Sequence, residues 1–294
     1  MTPLYVTAAA DYVECIRDDA PATDLKALVA EATGQSVRRI GRFTQLALIG
    51  AGRSARAGRL ASDAAVYVGS SHGDVETIAD VLRSSLRDGR APKPLSFVNT
   101  VSNATCYYVA QTLKLLGRST FVCNRYFAFE SVLQLAALDL NIGEAESALI
   151  GTVDVVVPPL TEHRARVGVN DRAHVADASH WIVMTRERRH PSLCRLVTAQ
   201  SFTDRVALLK WIASQQDHEQ WILSTGQFMT SAEARTWSAL FATSAFDYRE
   251  QRAHYDSHSG ATIHCYAQSC ERRPLLHINR DRSQRYSIML LDKE

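Results

Sequence analysis

What this chain lacks narrows its function first. No window approaches the roughly 18 apolar residues that cross a bilayer as a helix, and the opening MTPLYVTAAADYVECIRDD has no cationic stretch running into an apolar one. No membrane span is expected, and the expected location is cytoplasmic. Cys15, Cys106, Cys123, Cys194, Cys265 and Cys270 occur without Cys-x-x-Cys spacing, so reduced and mostly buried thiols are expected. His258 and His264 lie near Cys265 and Cys270, but no second ligand pair with finger spacing accompanies them, and no metal is expected. The chain has no Walker-type phosphate loop, no G-x-G-x-x-G and no H-E-x-x-H, and no cofactor is expected. Lys and Arg number 33 against 31 Asp and Glu, with no polybasic tract, which makes nucleic acid an unexpected partner.

What is present is a globular composition. At 294 residues and 46% hydrophobic content the chain can bury one large core or two fused ones. Helical spacing in LKALVAEATG and FTQLALIGAG predicts two helices before the first clear strand, AAVYVGSS. DVETIADVLRSSLRDG reads as an amphipathic helix capped by Asp74 and ending near Gly89, and Pro92 and Pro94 mark a loop. A helix from Asn103 to Leu116, a strand from Thr120 to Cys123 and a long apolar helix from Phe127 to Asn141 follow. The run SALIGTVDVVV has no charge before Asp154, as expected of a strand buried on both faces. Later strands are expected in LCRLVTAQS, EQWILST, PLLHIN and YSIMLLDK, with helices around RVALLKWIASQ and SAEARTWSALFAT. This alternation predicts a layered α/β fold.

Six segments in order resemble the β-ketoacyl synthases. Arg42-Phe43-Thr44-Gln45-Leu46-Ala47 is similar to that family's R-x-S-R-L-A helix, and Val66 to Asp74 to its glycine-rich strand and turn. Gly117-Arg118-Ser119 stands at its G-P-S turn, Thr120 to Cys123 at the strand before the nucleophile, Gly143-Glu144-Ala145-Glu146 at G-D-A-D, and Asp177 to Met184 at D-G-A-G-M-L-V. After residue 190 the match weakens. The resemblance implies a thiolase-like fold: two pseudo-repeated α/β halves, residues 1–190 and a reduced 191–294, in an α-β-α-β-α arrangement. Two five-stranded sheets would sandwich a central pair of helices.

Counting inward from the flanking motifs places Tyr126 where the family has its acyl-accepting cysteine. The same alignment puts Thr225 at the first catalytic histidine and leaves His254 as a remnant of the second. Asn279-Arg280-Asp281-Arg282-Ser283 replaces a glycine-rich loop beside the active site. A phenol ionising near 10 cannot stand in for a thiolate acyl carrier near neutral pH. No catalytic residue of condensation is therefore expected. Tyr126, Phe127 and Phe129 are expected to plug a pocket or wall a tunnel.

The leading expectation is a non-condensing subunit of the chain-length-factor type, akin to compact subunits of aryl polyene and xanthomonadin pigment clusters. It would pair with a cysteine-bearing ketosynthase, or with itself, through Ser119, Thr120, Phe121, Val122 and Cys123, with Cys106 on a neighbouring helix. Acyl carrier protein is a second expected partner, contacted by Arg53 and Arg56 in a cluster with Arg38, Arg39 and Arg42. Two other readings stand beside this one. The first is acyl transfer or hydrolysis through Cys123 or His254, with His254 and His258 on one helix face. The second is a homodimeric scaffold that binds carrier protein without reacting. His72 is expected to serve its own turn.

Overall fold

The computed structural model describes residues 2–101, 103–189, 191–241, 245–246 and 253–293. Its first element is a strand that the periodicity did not announce. β1 (Leu4–Ile16) buries Leu4, Val6 and Ala8 alternately, but its three consecutive alanines carry no β signal of their own. Antiparallel pairing with β5 (Val175–Thr185) along nearly its whole length fixes it. The two expected helices follow as α1 (Lys26–Thr33) and α2 (Arg42–Gly58), then β2 (Ala65–Ser70). α3 (Val75–Leu82) starts where Asp74 accepts a hydrogen bond from the Thr77 amide at 3.0 Å, and a π-type turn over Arg83–Arg87 continues it to Gly89 at φ +61°.

The remaining elements of the first half are α4 (Pro94–Val98), α5 (Ala104–Leu113), β3 (Ser119–Cys123), α6 (Ala128–Ile142), β4 (Ser147–Asp154) and α7 (Leu160–Val167) before β5. The second half has β6 (Cys194–Phe202), α8 (Arg205–Ala213), β7 (Ile222–Thr225), α9 (Ser231–Ser238), α10 (Ser259–Gln268), β8 (Leu275–Arg280) and β9 (Tyr286–Asp292). The expected helix over SAEARTWSALFAT ends at Ser238, and residues 242–243 of that run lie outside the described residues.

Strand order reveals the internal repeat. Among the described residues the nine strands run β3-β2-β4-β5-β1-β6-β9-β8-β7. On one side β3, β2 and β4 are parallel and β5 and β1 antiparallel in turn; on the other β7 and β8 are parallel and β9 and β6 antiparallel in turn. β6, β9, β8 and β7 thus mirror β1, β5, β4 and β2. Among the described residues the counterpart of β3 is represented by a parallel bridge, Leu223 to Ala245, with the Phe246 amide donating to the Leu223 carbonyl at 2.7 Å. The two half-sheets, five and four strands among the described residues, join edge to edge through a short ladder, Leu4 to Leu196, Tyr5 to Arg195 and Val6 to Cys194.

Five layers result. α1, α2 and α5 cover the outer face of the first half-sheet around Phe43, Leu46, Val66 and Trp181. α8 and α9 cover the outer face of the second around Leu208, Trp237 and Ile288. Between the half-sheets lie α6 and α10, in a core of Phe129, Leu133, Ile150, Ile263 and Met289. The pattern SGATIHCYAQ did not signal α10, because Gly260, Thr262 and Ile263 are weak helix formers. Packing explains the glycine: a Cβ there would meet the His180 Cβ at 2.9 Å and the Thr152 hydroxyl at 3.0 Å.

Candidate functional site

The two central helices point their N-termini at one region, where β3, β7 and β8 also end. At the head of α6, Asn124 Oδ1 accepts from the amides of Tyr126 and Phe127, both at 3.3 Å, and its Nδ2 donates to Ser131 Oγ at 3.0 Å. Amides that a helix start offers to an anion are here turned to the chain's own side chain. The Tyr126 ring meets Phe228 edge-on at 4.8 Å, and the Arg125 guanidinium lies 5.8 Å from its centroid. Phe129 is fully buried, Phe127 half-buried. Buried Thr225 comes three residues before Phe228, so the positions read as degenerate nucleophile and degenerate first histidine converge.

Beneath Tyr126 is a polar network the sequence reading missed. Asn279 Nδ2 donates to the Tyr126 carbonyl at 2.8 Å and to Glu130 Oε1 at 2.8 Å, and lies 3.2 Å from Ser259 Oγ. His277 bridges Ser224 Oγ at 2.8 Å and Ser259 Oγ at 3.0 Å, with Glu130 3.8 Å away. Glu130 is 1% exposed and His277 fully enclosed. Burial pushes the Glu130 carboxyl up, against hydrogen bonds from Ser259 and Asn279 that pull it down. A carboxylate in the first turn of a mostly apolar helix was the available signal. Gly226 admits the arrangement, since any side chain there would overlap Asn279.

A second network ties the approach to α10 to the first half. Asp154, at the end of β4, accepts from Ser70 Oγ at 3.2 Å, the Ser71 amide at 3.0 Å and the Ser257 amide at 2.7 Å. Asp256 meets His72 Nε2 at 2.7 Å and Arg166 at 3.6 Å, and Arg166 reaches His163 Nδ1 at 2.8 Å. His72 therefore bridges across the molecule, where a local turn role was expected. Burial, and then the charge of Arg166, lower the His163 imidazole to about 4. Burial, and then Asp256, raise the Asp154 carboxyl.

Other expected site residues fall elsewhere. His254 is exposed, its backbone bridged to residues 174–176, while buried His258 immediately precedes α10 and stacks on Tyr255 at 4.3 Å; the two do not share a helix. Cys123 is an exposed thiol at the end of β3, not a buried one. Desolvation on its inner side, and then Asp154, raise its pKa, and its sulfur contacts the Ser71 carbonyl at 3.6 Å. Cys106 is buried in the core beneath α5 and pushed up to about 12 by burial, so its thiol is not on a contact surface. Arg42 pairs with Asp177 and Glu14, Arg53 reaches the Asp11 carbonyl and Tyr12, and Arg56 donates to the carbonyls of Glu31 and Ala32.

Gly69-Ser70-Ser71-His72-Gly73 has the G-x-S-x-G spacing of a nucleophile elbow, which the sequence reading passed over. Ser71 is buried, has no positive φ, and its hydroxyl lacks a hydrogen-bond partner. The spacing occurs without the strained turn and neighbouring base that chemistry needs. Among the described residues no group of His, Cys, Asp and Glu is arranged to hold a metal, and no helix is long and apolar enough to cross a membrane.

No protein-family model and no curated protein matches this sequence. Solved structures do match. The ishigamide ketosynthase/chain length factor superposes with a TM-score of 0.77 over 99% of both chains at 16% identity. A type II polyketide acyl-carrier protein in complex with its ketosynthase gives 0.74 over the whole of both chains at 15% identity. The fold is that of the ketosynthases. A β-ketoacyl synthase from Burkholderia phymatum follows at 0.70 and 12% identity, again over both whole chains. Within this ketosynthase-like fold, the head of α6 is filled by Tyr126.

Proposed function

We propose that this chain is a non-condensing, ketosynthase-like subunit of the chain-length-factor type. It pairs with a cysteine-bearing β-ketoacyl synthase in fatty-acid or polyketide-type biosynthesis. The observation that carries this reading is at the head of α6: an aromatic pair, Tyr126 on Phe228, occupies the position that the sequence resemblance assigns to the thiolate that holds the growing chain. Burial, and then Asp154, raise the Cys123 thiol, which makes it a weak nucleophile near neutral pH, and exposed His254 is bridged to Val175.

The pairing surface is argued from β3. It ends the sheet, so its outer edge has no neighbouring strand among the described residues, and such an edge is a template for another chain. Apolar side chains flank it: Leu116 is 85% exposed just before the strand, Tyr107 projects from α5, and Leu135, Leu138 and Ile142 line one face of α6. Exposed apolar side chains on the elements that pack beside an open strand edge are what a large interface covers. The proposed partner presents an equivalent edge together with the reactive thiol, and acyl carrier protein serves the pair. Polyene-type pigment synthesis is the proposed setting. Co-expression with the cognate ketosynthase is expected to give a stable 1:1 complex that Leu116→Glu with Leu138→Glu abolishes. A complex that forms equally well with the double variant would refute pairing through β3.

A further inference from the structure

The far end of β1 carries a thiol beside an imidazole. In the antiparallel ladder with β5, Cys15 lies opposite Ala176 and Ile16 opposite Val175. His174, just before β5, is two residues along from Ala176, a diagonal neighbour on the same face of the sheet as Cys15. The two side chains meet, with Cys15 Sγ 3.9 Å from His174 Nδ1, and both residues are exposed.

Backbone bonds hold the imidazole there. The His174 carbonyl accepts from the His254 amide at 2.8 Å and the Ala176 amide donates to the His254 carbonyl at 3.0 Å, so the start of β5 is clamped between β1 and a second segment. The other thiols are placed differently. Cys106 and Cys194 are buried, and burial pushes both up to about 12. Cys123 and Cys270 are exposed, but among the described residues neither touches an imidazole, and Cys123 is raised by burial and then by Asp154.

A thiol in reach of an imidazole is the nucleophile and base pair that activates sulfur, because the ring nitrogen takes the proton as the sulfur attacks. Nδ1 can accept it in the tautomer that carries its own proton on Nε2. An exposed sulfur with such a base is open to small soluble electrophiles.

We propose that Cys15 is a site of reversible S-thiolation by small disulfides, with His174 as its base. The Cys15 sulfur attacks one sulfur of the disulfide while its proton passes to His174 Nδ1. A new S–S bond forms, the disulfide's own bond breaks, and the departing thiolate takes up that proton and leaves as a thiol. Attack by a second small thiol reverses the exchange. In the strand order β2, β4 and β5 separate β1 from β3, so the modification does not depend on pairing through β3.

The test is incubation of the full chain with glutathione disulfide at neutral pH, with mixed disulfides located over time by peptide mass spectrometry. Cys15 is expected to react about fivefold or more faster than Cys123 and Cys270, and His174→Gln to slow Cys15 by a similar factor while the Cys270 rate, which reports an intact fold, stays the same. Added reduced glutathione is expected to return the Cys15 thiol. Equal rates at the three exposed thiols, or an undiminished Cys15 rate in His174→Gln, would overturn the proposal.

Discussion

Acid should loosen this protein through His163. The imidazole is 5% exposed, accepts from the Val157 amide at 3.3 Å and from Arg166 at 2.8 Å, and falls from 6.5 to about 4. Its folded-state pKa is depressed, so its contribution is fully present above pH 6.5 and is lost as pH falls toward the folded value. At about 1.4 kcal/mol per unit, roughly 2.5 kcal/mol should disappear between pH 7.5 and pH 4.5. Asp154, raised by burial, works in the opposite sense, losing stability as pH rises through its own range, so a wild-type profile alone mixes the two. His163→Gln keeps an acceptor for Val157 and Arg166 but cannot titrate. Urea unfolding of both proteins at half-unit steps from pH 7.5 to 4.5 should show the variant less stable at the top of the range and nearly level with the wild type, or above it, at the bottom. Parallel profiles would refute the assignment, because the acid sensitivity would then belong to other groups.

Three further outcomes are expected. Gly151→Ala places a Cβ inside the Trp181 indole and should cost about 1–3 kcal/mol by overpacking, read from the shift in urea midpoint. Asn279→Ala strips a donor from the Tyr126 carbonyl and from buried Glu130, and should cost about 1–3 kcal/mol; an unchanged midpoint would mean the network beneath Tyr126 does not hold the helix heads together. Tyr126→Cys should yield a labelled thiol without condensing activity when incubated with acyl and malonyl carrier protein. Turnover there would show that the missing sulfur was the chain's sole deficiency.

Local patterns carried most of the fold. The α3 cap at Asp74, the uniformly buried β4 and the apolar α6 were legible because period, cap and charge agree within one segment. β1 and α10 were not, because Ala8, Ala9, Ala10 and Gly260 take their conformation from partners distant in sequence. Within the site, alignment found Tyr126 and Thr225, which border one another through Phe228 and Asn279. It could not find Glu130, Asp256 or His277, whose partners lie 15 to 184 residues away and come together only in three dimensions. The arginines drew attention by number, yet folding spends Arg42, Arg53 and Arg56 on acceptors and an aromatic ring within the chain.

The most direct measurement is the mass of the species formed when this chain is co-expressed with a cysteine-bearing ketosynthase from the same cluster. A 1:1 complex by light scattering, in which only the partner's cysteine takes up an acyl probe, is the result expected of a non-condensing subunit. A strictly monomeric chain beside that partner, or an acyl adduct on this chain's own Cys123, would contradict it.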